Sequence, residues 1–143
     1  MNDRILVATD GSAAAMVAVK KGVDLAKATG AEVLGVYVVD ELAVANAVRL
    51  FGADKEDLER KLQAGGEVAV SDLRRIAEEA GVPVETVVTF GVPANSIIEL
   101  AKEKGVDMIV MGGHGQSGVT KFIIGSVVKN VLYRATVPVL VVR

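Results

Sequence analysis

The residues best placed to do chemistry lie in one stretch, Met108-Ile-Val-Met-Gly-Gly-His-Gly-Gln-Ser-Gly-Val-Thr-Lys-Phe-Ile-Ile-Gly-Ser126. Met108 to Met111 reads as a buried strand that breaks at once into glycine at 112, 113, 115 and 118, before Gly125-Ser126 opens a predicted helix. Glycine lets backbone N–H groups come close to an anion, and successive N–H groups can form a concave nest. A helix start adds unpaired donors and a partial positive charge. No acidic residue follows Asp107, whereas Lys121, Lys129, Arg134 and Arg143 do, in a chain of net charge −2. The stretch therefore reads as the phosphate half of a nucleotide site.

Three glycine patterns compete for this loop. The P-loop pattern is excluded, because no Gly-Lys pair occurs anywhere. Gly113-His-Gly115-Gln-Ser-Gly118 matches the dinucleotide fingerprint, but the acidic residue required about 20 positions on is missing, so the match is read as chance. The third pattern is G-x-x-G-x9-G-[ST], with Gly112-Gly113-His114-Gly115, nine residues, then Gly125-Ser126. Duller roles exist for several of these residues. Ser126 can simply N-cap its helix, and Lys121 can face water. His114, the only histidine, is read as a solvated loop residue rather than a metal ligand or catalyst.

The rest of the composition narrows the class. The chain has 143 residues, 51 % hydrophobic and 3 % aromatic, so its core must be Val, Ile, Leu and Ala. That length fits one domain over residues 1–143. A near-neutral balance and few aromatics argue against a nucleic-acid partner. With no cysteine, disulfides, thiolate metal sites and a Cys nucleophile are excluded. No apolar run approaches the roughly 18 residues of a membrane span, and the first ten residues lack a secretory pattern. A soluble cytoplasmic domain is expected.

The elements that must position the loop follow from the pattern. Arg4 to Thr9 is a nearly continuous apolar run, as in a strand buried on both faces. It ends at Asp10-Gly11-Ser12, where Ser12 caps a helix that stops near Gly30. Strands are expected at Glu32 to Val39, Val84 to Phe90, Asp107 to Met111 and Val137 to Val142. Helices are expected over 56–80, from Pro93 to Lys104, and from Ser126 to Arg134. Asp40 to Asp54 follows neither period and is expected to be a loop or broken helix, a candidate lid. Gly65-Gly66 inside the long helix is read as a close packing contact or bend rather than a hinge. Pro138 favours a strand's start or a sheet edge. Alternation of strand and helix implies an α/β fold with a parallel sheet and helices on both faces. Ligands of such sheets sit at the strands' carboxyl ends, where strand order reverses. Thr9-Asp10, Val38 to Asp40 and Met111-Gly112 are thereby candidate rims of one cleft. A phospho-receiver is excluded, because the third strand ends in Thr89-Phe90 rather than an acceptor aspartate.

With its third glycine pattern, the chain resembles the ATP-binding branch of the universal stress protein family. The resemblance runs from Arg4-Ile-Leu-Val-Ala-Thr-Asp-Gly-Ser12 through Val36-Tyr-Val-Val-Asp40 and Gly91-Val-Pro-Ala94 to Val137-Pro-Val-Leu-Val-Val142. It implies a three-layer, Rossmann-like fold of the adenine nucleotide alpha-hydrolase kind, with five parallel strands in the order 3-2-1-4-5. It also implies ATP, AMP or ADP as ligand, with magnesium, and a homodimer paired through the last strand. Ala8, Thr9 and Asp10 would line the ribose and adenine side, and Val38 would meet adenine through its backbone. Met111, Gly112, Gly113, His114, Gly115 and Gly118 would wrap ribose and phosphates, and Gly125, Ser126 and Val127 would hold the phosphates.

The expected function is a nucleotide-dependent regulatory switch in a stress response. A slow magnesium-dependent ATPase or phosphotransfer enzyme in the same cleft is the alternative. Turnover needs a positioned base and charge stabilisation at the γ-phosphate, and only Asp10 and His114 are at hand. A dimeric interaction module with a vestigial site is a third reading.

Overall fold

The structure is a computed structural model and describes residues 3–113 and 125–143. Its elements run β1 (Arg4–Ala8), α1 (Ala13–Thr29), β2 (Glu32–Asp40), α2 (Glu41–Phe51), α3 (Lys55–Glu79), β3 (Val84–Gly91), α4 (Pro93–Glu103), β4 (Met108–Gly112), α5 (Ser126–Arg134) and β5 (Val139–Val142). All five strands are parallel and lie in the order β3-β2-β1-β4-β5. This is the α/β topology expected from the alternation of elements, in the strand order that the family resemblance implies.

β1 is the centre of the sheet because it can be buried from both sides. Ile5, Leu6 and Val7 have no exposed surface. Alternation sends Ile5 and Val7 to one face and Leu6 to the other. Ile5 and Val7 meet Val19, Val23 and Ala26 of α1 and Leu73 and Ala77 of α3. Leu6 meets Ile97, Ile98 and Ala101 of α4 and Val128 and Val131 of α5. Each of the Val, Leu and Ile side chains among them contributes about 1.5–3 kcal/mol through its removal from water. Missing side chains let the helices come close. A Cβ on Gly22 of α1 would stand 2.7 Å from Val7 Cγ2.

The lower end of β1 is fastened by polar groups. Asp107, before β4, accepts from the Asp3 N–H at 2.8 Å and the Arg4 N–H at 3.1 Å through one carboxylate oxygen. These two bonds, Arg4's first, hold its carboxyl below the usual carboxylate range. The Arg4 guanidinium pairs with Glu32 at the start of β2.

One expectation fails. Residues 41–51 form a continuous helix, not a loop or broken helix. Its apolar residues lack a helical burial period because Val44 alone among them is buried, while Leu42, Leu50 and Phe51 are exposed. Its two ends fix it instead. Asp40 Oδ1 accepts from the N–H groups of Leu42 and Ala43 at 3.0 and 3.1 Å. Gly52 closes the other end in the left-handed region at φ 66°.

Elsewhere the boundaries agree within a residue or two. Ser12 Oγ caps α1 by accepting from Ala15 N–H at 3.1 Å, and Gly30 ends it. Pro138 precedes β5 and gives its carbonyl to Ile109 N–H at 2.9 Å. Among the described residues no helix is long and apolar enough to cross a membrane.

Candidate functional site

The three central strands end at different heights, and that difference makes the site. β1 last pairs with β2 at Ala8 and Val36. Thr9 N–H then donates to Val36 O at 2.9 Å, and the chain turns away through Gly11 at φ 81°. β2 continues to Asp40, paired only with β3. On the other flank, β4 pairs with β1 up to Val110 and then carries Met111 and Gly112 onward beside β5. A notch therefore opens above β1, at the point where chain order reverses. Backbone groups along a strand alternate between its two edges. Val38 shares the edge that Val36 turns toward β1, so its N–H and C=O face the notch.

The turn at the bottom of the notch is held rigid by its own side chains. Thr9 Oγ1 accepts from Gly11 N–H at 3.1 Å, and Asp10 Oδ1 accepts from Ser12 N–H at 3.0 Å. Turns of this kind need short polar side chains that bond two residues ahead.

The notch widens into a cleft of about 390 Å³. Nine of the residues that the resemblance assigns to the ligand line it, namely Ala8, Thr9, Asp10, Val38, Met111, Gly112, Gly125, Ser126 and Val127, and so does Asp40 from the candidate rim. They come from the β1 turn, β2, the end of β4 and the start of α5, distant in sequence and joined only by topology. Gly113 is placed differently. Its N–H donates to Val142 O and its carbonyl accepts from Gly125 N–H, both at 2.8 Å, and a Cβ there would stand 3.3 Å from Val141. Gly113 thus draws the start of α5 back to the end of β4 without lining the cleft. His114, Gly115 and Gly118, with Lys121, lie outside the described residues.

Ser126 does not cap α5. Gly125 occupies the cap position with φ −66° and ψ 159°, and Ser126 is the first helical residue. Helices α1 to α5 differ in this respect. Side chains of Ser12, Asp40 and Asp54 cap α1, α2 and α3. No side-chain cap bond is made among the described residues at the starts of α4 and α5. Pro93 of the first and Gly125 and Ser126 of the second line the cleft. Unmet N–H groups at a helix start favour an anion.

Sequence reasoning does not single out other lining residues, among them Tyr37, Ala43, Leu62, Pro93 and Ile97. Leu62 reaches the cleft from α3, and nothing local in the sequence reveals which turn of a 25-residue helix passes there. Pro93 carries a signal, since it opens a helix directly after a strand's carboxyl end. Tyr37 is raised above its ordinary pKa, first by burial and then by the nearby charge of Asp10. Among the described residues no group of three or more His, Cys, Asp or Glu could hold a metal ion.

This geometry meets its counterparts in known proteins. The sequence profile of the universal stress protein family matches residues 1–143. The chain belongs to that family. Universal stress protein MJ0531 of Methanocaldococcus jannaschii is 39 % identical over 141 residues, covering 98 % of this chain and 81 % of its own. Universal stress protein YxiE of Bacillus subtilis is 36 % identical over 149 residues, covering both chains completely. Among solved folds, the universal stress protein UspA from Lactobacillus plantarum superimposes with a TM-score of 0.84 at 26 % identity, covering 99 % of this chain and 98 % of that one. A universal stress protein solved in complex with cAMP superimposes at 0.71 with 25 % identity, covering 99 % and 96 %. This universal stress protein therefore shares its whole sheet and helix order with relatives, one of which holds an adenine nucleotide.

Proposed function

We propose that this universal stress protein binds an adenine nucleotide, ATP foremost, in the cleft above β1 and acts as a nucleotide-dependent switch. The observation that carries the proposal is the meeting of nine residues from four separate segments on one cleft of nucleotide-like chemistry. The base would lie against β2, where Val38 offers an N–H beside a C=O. Adenine presents an acceptor, N1, beside a donor, the N6 amine; guanine presents the reverse. Phosphates would face the glycines at the end of β4 and the start of α5, where Gly112 and Gly125 allow close approach. Magnesium would be held by phosphate oxygens and water, as this ion commonly is. The relative solved with cAMP supports an adenine ligand for the fold.

Binding is favoured over turnover by what the two cleft carboxylates do. Asp10 takes the Ser12 N–H, and Asp40 takes two N–H groups of α2. Both serve the backbone. The switch would work in the cytoplasm, where ATP is abundant, as a homodimer joined through β5. That strand lies at the end of the sheet, and exposed strand edges of this kind invite pairing.

The test is mass spectrometry of acid-precipitated protein for co-purified nucleotide, followed by calorimetric titration with ATP, ADP, AMP, cAMP and GTP. The proposal expects adenine nucleotides to bind and GTP to bind at least roughly tenfold more weakly, the worth of about one misplaced hydrogen bond. Equal affinity for ATP and GTP, or no binding at all, would overturn it.

A further inference from the structure

A glycine sets how near α3 comes to the cleft. A Cβ on Gly66 would stand 2.5 Å from Tyr37 Cδ1 and 2.9 Å from Cε1, whereas Gly65 has nothing within 4 Å of its Cβ position. Of the two, only Gly66 is required by packing, and the Tyr37 ring lies against the bare backbone of α3. Further along the helix, Leu73 fills the space over Gly35, where a Cβ would stand 2.5 Å from Leu73 Cδ2. α3 therefore runs antiparallel to β2 and close upon it. Its buried residues Gly66, Ala69, Val70, Leu73 and Ala77 form one stripe.

Leu62 continues that stripe one turn past Gly66. Four residues of helix advance about 6 Å, which on β2 is about two residues beyond Tyr37. Leu62 therefore stands at the height of Val38 and Val39, half-buried, and it lines the cleft. Packing on the sheet does not account for this apolar side chain, because the buried stripe ends at Gly66.

Val38 fixes which way a base must lie. Its N–H and C=O point within the plane of the sheet and are spaced along the strand. The N1 acceptor and N6 amine of adenine lie in the plane of its rings. A base bonded to both groups therefore continues the plane of the sheet, and its two faces turn to the two helix layers. Ile97 of α4 lines the cleft from one layer, and Leu62 of α3 lines it from the other.

We propose that Leu62 is a base-binding residue of this site: it closes the α3 side of the slot opposite Ile97, so that each helix layer covers one face of the base with an apolar side chain. The inference rests on the nucleotide proposal above and adds to it the residue that covers the base. A contact on a ring face has no part in holding the phosphates, so it is worth the same to ATP and to AMP.

The experiment is calorimetric titration of the full chain with ATP and AMP, in wild type and Leu62→Ala, together with tryptophan fluorescence of Leu62→Trp and Val68→Trp. The chain has no tryptophan, so each of the last two carries a single reporter. Leu62→Ala should weaken ATP and AMP alike by about tenfold, the worth of roughly two buried methylenes, with its circular dichroism unchanged. The tryptophan of Leu62→Trp should be quenched when either nucleotide stacks on it. That of Val68→Trp, on an exposed side of the same helix, should not respond. Affinities within about twofold of wild type in Leu62→Ala, a loss confined to ATP, or equal fluorescence responses from both tryptophans would refute the contact while the nucleotide proposal stood. A wild type that binds neither nucleotide refutes that proposal and the contact with it.

Discussion

Placing a carboxylate at the start of α5 separates stability from binding in a way that only a phosphate site there explains. Ser126 is the first residue of α5, the first turn holds no acidic residue, and no side-chain cap is present among the described residues. Ser126→Asp therefore puts a negative charge on the positive end of the helix. That should stabilise the empty protein by about 0.3–1 kcal/mol. For a domain of this size the midpoint should rise by about 1–3 °C. The same charge would stand roughly 5 Å from a seated phosphate, and at an effective dielectric of about 20 the repulsion is about 3 kcal/mol. ATP affinity should fall on the order of a hundredfold, and the loss should shrink as added salt shortens the screening length. Thermal melts with and without ATP, paired with calorimetry at low and high salt, read both effects. A variant that is more stable yet binds ATP within about threefold of wild type, far short of that repulsion, would remove the phosphate from α5.

Two further outcomes follow from other parts of the fold. The Asp107 carboxyl is held below its ordinary 3.8 by the backbone N–H bonds of Arg4 and Asp3. A depressed carboxylate contributes stability that is present above its unfolded value and lost as pH falls through the folded one. Asp107→Asn should thus melt earlier than wild type at about pH 7, with the gap closing below about pH 4; a gap constant from about pH 7 to about pH 2 would refute this. In β5, Pro138 O accepts from Ile109 N–H and Val142 O from Gly113 N–H, so alternation turns the backbone of Val139 and Val141 toward the free edge. Val141→Pro should remove an outward donor while sparing the ladder to β4. Light scattering should then show monomers that retain the wild-type circular dichroism, and an intact dimer would refute pairing through β5.

The sheet is legible in the sequence because its burial is extreme. Ile5, Leu6 and Val7 must be apolar in succession when helices cover both faces, and the turn residues directly after the run mark its end. Caps are legible where a helical period runs between them, as with Ser12 and Gly30 at the two ends of α1. α2 is not, because its signal lies at its ends, Asp40 and Gly52, rather than in the spacing of its apolar residues. At α5 the cap lies one residue earlier than a serine suggests, since Gly125 takes that position. Gly66 reads as a packing contact, and it is one. Its partner cannot be read, because the sequence does not say which turn of α3 crosses which residue of β2. Tyr37 is hidden for the same reason, whereas Val38 beside it is reached as a strand's carboxyl end, and its adenine role through the family resemblance. Cleft residues contributed by strand ends and glycines are visible locally; those contributed by the passing flank of a helix, such as Leu62, are not.

The uneven capping of helices α1 to α5 has a consequence for how long the protein lasts. Helices α1, α2 and α3 close their starts with their own side chains, whereas the starts of α4 and α5 have no such closure among the described residues. A nucleotide phosphate would act at α5 as the missing cap, a part of the fold supplied from outside the chain. Ligand at about a hundred times its dissociation constant adds about 2.7 kcal/mol to folding stability. Opening of α5, and with it access for a protease, would become rarer by the same factor. The adenine nucleotide pool would then set the protein's abundance through its lifetime, so that a cell short of ATP would clear the empty form without any dedicated signal.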